Sequence, residues 1–289
     1  MSSRSLLTWR LPRSELVLGR RTLIMGIVNV TPDSFSDGGR FLSPRAAVDQ
    51  GLRLLEQGAD ILDLGGESTR PGAEPVSAAE ESARVLPVIR GILDRRPQAV
   101  VSIDTYKAAV AEAALEAGAQ IVNDVTALRG DPDMAGLVAR RGAGLILMHM
   151  RGEPRTMQKD PRYEDVVAEV SAFLRERARA AREAGVAREA IVVDPGIGFG
   201  KNLEHNLALM RHLGSLRALG YPVLLGASRK TCIGQLTGRE QPRDRLWGTL
   251  GAHVVGAALG ADVVRVHDVA PLKEALSVAD AILAAGEED

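Results

Sequence analysis

From residue 22 onward the chain alternates two hydrophobic patterns. Short unbroken apolar runs rich in Val, Ile and Leu mark strands buried on both faces, and longer amphipathic stretches between them mark helices. The runs fall at 22–28 (TLIMGIV), 60–64 (DILDL), 99–103 (AVVSI), 120–122 (QIV), 144–148 (GLILM), 190–193 (AIVV), 222–225 (PVLL) and 262–266 (DVVRV). Helix signals separate them. Ser43-Pro44 offers an N-cap and a first-position proline, with Gly58 ending that helix, and Ser77 with Glu80 offers a capping box for a helix running to about Asp94. Further helices are expected after Asp104 as far as Gly118, after Pro132, from about Tyr163 to Ala184, from about Leu203, after Asp244 and from Pro271. Eight strands alternating with eight helices over 289 residues predict an α/β fold, a (β/α)8 TIM barrel, with 1–289 as one domain. Upstream, Leu6 to Leu18 alternates around Pro12-Arg13-Ser14, which predicts an N-terminal β-hairpin within residues 1–20 that plugs one end of the barrel. A doubly wound sheet would carry a glycine fingerprint after its first strand, and none is present there.

Composition narrows the partners. A formal net charge of -1 leaves no excess of basic groups to neutralise many phosphates, so nucleic acid is not expected as a partner. Cys232 is the single cysteine, which excludes an internal disulfide framework and a cysteine metal cluster and fits a reducing compartment. No run approaches the roughly 20 apolar residues of a membrane span, and the N-terminus lacks the order of a secretory signal. A cytoplasmic location without a membrane partner is the expectation.

In such a barrel the C-terminal strand ends open on one face, where active sites are built. Nearly every strand here hands over a polar side chain at that point: Asn29, the segment Glu67 to Arg70, Asp104, Asn123, His149, Asp194, Ser228 to Lys230, and Arg265 with His267. Two groups emerge. Asp104, Asn123 and Asp194 offer two carboxylates and an amide that could read a heterocycle with several N–H groups, a carboxylate being a natural partner for an amino-pyrimidine edge. Plain structural roles compete with this, Asp194 as the cap of the turn before Pro195 and Asp104 as the N-cap of the next helix. Arg70, Ser228, Arg229, Lys230, Arg265 and His267, with Asn29, form a cationic group suited to a phosphate or diphosphate.

Other chemistries are disfavoured. The histidines show no His-x-x-x-His pair with a nearby Glu, so a zinc hydrolase is not expected, and His205 and His212 read as helix-surface residues. No GxSxG elbow is present and Cys232 lacks an adjacent base. Lys230 could form the Schiff base of an aldolase, the main rival from the residues alone.

Taken together, MGIVNVTPDSFSDGG (25–39), DLGGESTRPGA (63–73), SIDTYK (102–107), IVNDV (121–125), LMHMRGEPRTMQ (147–158), DPGIGFGKN (194–202), GASRK (226–230) and RVHDV (265–269) resemble the dihydropteroate synthase family of pterin-binding barrels, in the family's order. The resemblance implies that p-aminobenzoate attacks the exocyclic methylene of 6-hydroxymethyl-7,8-dihydropterin diphosphate, giving dihydropteroate and diphosphate by an SN1-like substitution. It implies pterin contacts at Asp104, Asn123, Asp194, Lys230 and Arg265, and diphosphate and loop contacts at Asn29, Thr69, Arg70, Arg265 and His267. It further implies a p-aminobenzoate wall of Thr69, Phe199, Ser228 and Lys230, with Mg2+ on Asn29, and catalytic roles for Asp104, Lys230, Arg265 and His267. Polar loops at 31–39 and 65–74 are expected to close over the reactants. A homodimer, usual in the family, is expected through the Gly/Ala-rich helix 247–260. A pterin-dependent methyltransferase of the same barrel group and a silent pterin binder are the remaining alternatives, although neither has reason to keep the diphosphate cations.

Overall fold

Alternation along the first residues produces the expected hairpin. β1 (Leu7–Arg10) and β2 (Glu15–Leu18) pair antiparallel, with Trp9 opposite Leu16. The computed structural model describes residues 5–31, 43–68, 75–152 and 156–285.

Each apolar run then becomes a strand of one parallel sheet: β3 (Leu23–Asn29), β4 (Ile61–Gly65), β5 (Val100–Asp104), β6 (Ile121–Asp124), β7 (Gly144–Met148), β8 (Ile191–Asp194), β9 (Leu224–Leu225) and β10 (Val263–Val266). Their order is β8-β7-β6-β5-β4-β3-β10-β9, and a parallel bridge between Val193 and Val223 brings the two edges together. The sheet is therefore a nearly closed eight-stranded barrel, as the count of apolar runs predicted.

Helices α1 (Pro44–Glu56), α2 (Ala78–Arg95), α3 (Ala108–Glu116), α4 (Met134–Arg141), α5 (Val166–Glu183), α6 (Leu203–Arg211), α7 (Leu213–Arg217), α8 (Thr231–Thr237), α9 (Leu246–Ala258) and α10 (Val269–Ala284) surround it. The expected one helix per strand is doubled in two units, α6 with α7 after β8 and α8 with α9 after β9. The first split lies at His212, whose φ of -109° and ψ of 29° break the helical backbone. α5 begins at Val166, later than expected, because the Asp165 carboxylate caps the amides of Val167 and Ala168 at 3.0 Å. Half of the expected capping box at α2 forms. Ser77 Oγ accepts from Glu80 N at 3.1 Å, but the Glu80 carboxylate turns to Arg84. A complete capping box appears at α6 instead, where Asn202 Oδ1 accepts from His205 N and His205 Nδ1 accepts from Asn202 N. His205 and His212 are thus helix-end residues, His212 placing Nδ1 2.8 Å from Ala208 O.

The two faces of each strand feed different cores. Ile24, Leu62, Val101, Val122, Leu145, Val193 and Val264 pack outward against the helices. Leu23, Met25, Ile61, Val100, Ile121, Ile146, Val192, Leu224 and Val263 form a second core together with Trp9, Leu11 and Leu18 of the hairpin. The hairpin therefore seals the end where these strands begin. Trp9 is fully buried and its Nε1 donates to Ala190 O at 2.9 Å. Trp9→Ala should lower unfolding stability by about 3–5 kcal/mol, since it leaves a large cavity and an unpaired carbonyl. Urea denaturation measures that loss, and substrate KM values should stay at wild-type level because the hairpin lies opposite the polar mouth.

Candidate active site

Two residues beyond the apolar layer, the inward face of the strands turns polar. Side chains on a strand repeat every second residue, so Ile61 is followed inward by Asp63, Ile121 by Asn123, Val192 by Asp194 and Val263 by Arg265, while Val100 is followed by Ser102 and Asp104. A ring of polar groups consequently stands on an apolar floor.

Arg265 joins that ring. Its Nε lies 2.5 Å from Asp63 Oδ2 and its Nη2 2.8 Å from Asp104 Oδ2. Asn123 Nδ2 donates to the same Asp63 oxygen at 3.0 Å. The guanidinium, placed by the sequence among the diphosphate cations, thus spends these donors on two carboxylates of the floor. Asp63 is fully buried and was not among the residues expected from the sequence. Asp104 caps no helix: the N-cap of α3 is Lys107, without a side-chain cap. Burial raises the Asp104 pKa, opposed by Arg265 and reinforced by Asp63 and Glu81. Burial is thus the main cause of the rise, and Arg265 is the charge that most favours the ionised carboxylate.

Asp194 fills the structural role weighed above and leaves one oxygen over. Its Oδ1 accepts from Gly196 N at 2.6 Å. Burial raises its pKa to about 6 against the pull of that hydrogen bond and of Lys230, Arg265 and Lys201. Lys230 places Nζ 4.1 Å from the centre of the Phe199 ring, and burial with Arg265 nearby lowers its pKa to about 8. Tyr106 and Phe199 pack on a cluster of Val125, Met148, Met150 and Met157, an apolar wall for a flat ring.

At the rim, Ser228 Oγ lies 2.9 Å from His267 Nδ1 and accepts from His267 N at 3.2 Å, so these two expected contacts stand together. Arg229 turns to Asp268 through paired bonds of 3.0 and 2.6 Å, away from the cationic group in which the sequence placed it. Below the segment 65–68, Lys107 bridges Glu67 and Glu81, Tyr106 donates to Glu67 Oε1 at 3.1 Å, and Arg84 donates to Gly66 O at 2.7 Å. Thr69, Arg70 and most of the two polar loops lie outside the described residues.

His149, named at the end of β7, does not join the ring. It is buried and meets Lys201 Nζ through Nδ1 at 2.9 Å. Burial and the nearby cations lower its pKa to about 2, so it is neutral. Lys201, invisible as a site residue in the sequence, is equally buried.

Among the described residues no three His, Cys, Asp or Glu side chains gather as a metal cluster. A hard divalent cation needs less. Mg2+ keeps several waters and binds through one or two protein oxygens plus substrate phosphates. Asn29 ends β3, half-buried at the rim, and its amide oxygen fits that limited donor set.

Comparison with known proteins covers the whole of this geometry. The family model described as "Pterin binding enzyme" matches residues 25–267. A dihydropteroate synthase of Synechocystis is 46% identical over 264 residues, spanning 91% of this chain and 91% of the relative. A dihydropteroate synthase structure from Xanthomonas albilineans with 4-aminobenzoic acid superposes with a TM-score of 0.90 at 48% identity, covering 97% of this chain and 99% of that one. Another from the same organism, in complex with 7,8-dihydropteroate, gives a TM-score of 0.83 at 47% identity and covers 93% and 96%.

Proposed function

Because this chain belongs to the dihydropteroate synthases of the pterin-binding enzyme family, we propose that its barrel mouth makes 7,8-dihydropteroate from the dihydropterin diphosphate and p-aminobenzoate. It is a transferase of folate biosynthesis. The observation that carries this reading at the residue level is the network of Asp63, Asn123, Asp104 and Arg265 in the same mouth as the Lys230–Phe199 pair.

Each group has a task set by its environment. Asn123, Asp194 and Asp104 present acceptors and donors to the pterin edge, and Arg265, held from below by two carboxylates, offers its guanidinium plane for stacking on the ring. Lys230 adds a donor above Asp194. His267 and Ser228 at the rim, with Asn29, Thr69 and Arg70, take the diphosphate. A Mg2+ held with Asn29 would neutralise charge on that leaving group.

The bond from the methylene carbon to the diphosphate oxygen breaks first, leaving a cation spread over the electron-rich dihydropterin. The Asp63 and Asp104 carboxylates favour that cation and, held by Asn123 and Arg265, need no reorganisation at the moment of reaction. The amine nitrogen of p-aminobenzoate, lying against Phe199, Ser228 and Lys230, then forms the new C–N bond and loses a proton. An aromatic amine needs no strong base for this step.

The test is diphosphate release from the dihydropterin diphosphate with Mg2+, with and without p-aminobenzoate. Dihydropteroate should form with the amine, and slow release should persist without it. A strict requirement for the amine before any release would rule out the dissociative order. Borohydride should trap no carbonyl adduct on Lys230, against the aldolase alternative.

We also propose a cytoplasmic homodimer. Two of the glycines first invoked for the dimer serve packing within the chain, since a Cβ on Gly248 would lie 2.5 Å from Ile233 of α8 and one on Gly256 2.3 Å from Leu225 of β9, whereas one on Gly251 would meet nothing within 4 Å. What supports an interface is an exposed apolar stripe, Trp247 (79% exposed) and Val255 one helix face along on α9, with Val278 and Ile282 on the adjoining α10. Trp247→Glu should yield a monomer by light scattering, whereas an unchanged mass would remove this interface.

A further inference from the structure

The loop from Pro195 to Gly200 carries Phe199, and apart from the turn bond of Phe199 N to Gly196 O its backbone is held by side chains outside it. Lys201 Nζ reaches Gly196 O at 3.0 Å, Phe199 O at 2.9 Å, and both the ring nitrogen and the carbonyl of His149 at 2.9 and 3.4 Å. Gln158 Nε2 donates to Gly198 O, Tyr163 Oη donates to Gly200 O at 2.9 Å, and Asn206 Oδ1 accepts from Gly198 N at 2.8 Å. Close approach fixes the rest. A Cβ on Gly196 would fall 2.0 Å from His149 O and one on Gly200 2.3 Å from Arg151 O, both at positive φ.

Lys201 is the centre of this scaffold. It is 3% exposed and the partners within its hydrogen-bonding reach are neutral oxygens and a neutral imidazole. A buried ammonium without a hydrogen-bonded carboxylate is an expensive way to tie a turn. Its pKa, lowered to about 7 by burial, shows the expense. What the expense secures is geometry at the mouth: the loop so fixed puts the Phe199 ring 4.1 Å from Lys230 Nζ, and the Lys230 chain lies over Gly198.

We propose that Lys201 is a positioning residue for p-aminobenzoate, acting through the 195–200 loop on Phe199 rather than touching either substrate. The inference rests on the reading of Phe199 as part of the p-aminobenzoate wall. It predicts a larger effect on p-aminobenzoate than on the pterin, because Asn123, Asp104 and Arg265 do not contact the loop, and of the pterin groups only Asp194, which accepts from Gly196 N, and Lys230, which lies over Gly198, adjoin it.

Steady-state kinetics on the intact protein decide it. Lys201→Met should raise KM for p-aminobenzoate by about tenfold, with KM for dihydropterin diphosphate rising no more than about threefold through Asp194 and amine-free diphosphate release within about threefold of wild type. In a Phe199→Ala background the same substitution should add nothing, since the two changes act on one element. If Lys201→Met does not fold, Gln158→Ala loosens the loop from its exposed side and should raise the same KM by about threefold, again only while Phe199 is present. An unchanged KM for p-aminobenzoate in the folded variant, or additive losses with Phe199→Ala, would overturn the proposal. A wild-type protein that makes no dihydropteroate would instead overturn the function on which it rests.

Discussion

Arg265→Ala should reduce kcat/KM for dihydropteroate formation by about a thousandfold and lower unfolding stability by about 3 kcal/mol. Both effects come from one side chain. Its guanidinium sits between Asp63, fully buried, and Asp104, and at 22% side-chain exposure is itself mostly withdrawn from water. Removing it leaves two carboxylates facing each other across a low-dielectric mouth, so the penalty is that of unpaired charge and not merely of a lost contact. Asp104, already raised by burial and Asp63, would be driven further up and protonate at neutral pH. The mouth then loses the charge on Asp104 facing the cationic pterin, together with the plane on which the ring stacks. Stability and activity can be separated. Adding Asp63→Asn to Arg265→Ala removes one of the opposed charges and should return most of the stability in urea while activity stays lost. A single variant as stable as wild type would show that the pair is not coupled as the distances indicate.

Lys230→Met should cost about a hundredfold in kcat/KM and change the shape of the pH profile. In the intact protein Asp194 gains its charge as pH rises through about 6, and Lys230 loses its charge as pH rises through about 8. The charged pair exists between those values, so kcat/KM should form a bell with limbs near them. Methionine keeps the length of the lysine stem against Gly198 and Phe199 but has no proton to lose. The alkaline limb should vanish, and the acid limb should move upward because Asp194 loses a cation that lowered its pKa. A profile with both limbs retained would place the alkaline group elsewhere.

How much of this could be read from the chain differs between fold and site. The barrel was legible because continuous apolar runs and capped helices agree from end to end, and only the doubled helices escaped. His212 carries no Gly or Pro to announce a break, and tertiary packing decides there. For the candidate site, attention to residues just past each strand led to Asp104, Asn123, Asp194, Lys230, Arg265 and His267, which the barrel gathers at its mouth. Asp63 was missed by the same rule. It lies inside DILDL, one inward step below the rim, and in a run buried on both faces the strand pattern does not say which carboxylate faces the barrel axis. Counting by twos from Ile61 would have done so. Lys201 was missed for another reason. Its surroundings are backbone carbonyls, those of Gly196 and Phe199 close by in sequence and that of His149 far from them, and carbonyls leave no trace in residue identity. Arg229 erred in the opposite direction: its type suited the diphosphate, but Asp268, four residues into the next motif, already holds it.

The barrel is not equally strong around its circumference. β9 is two residues long, and β8 and β9 meet at the Val193–Val223 bridge, whereas β3 and β4 pair through five consecutive residues. Asp194 lies at the end of one of these two strands and Lys230 shortly after the other. Asp194 and Lys230 therefore straddle the seam with the fewest strand hydrogen bonds, across the barrel from the continuously paired wall that bears Asp63 and Asp104.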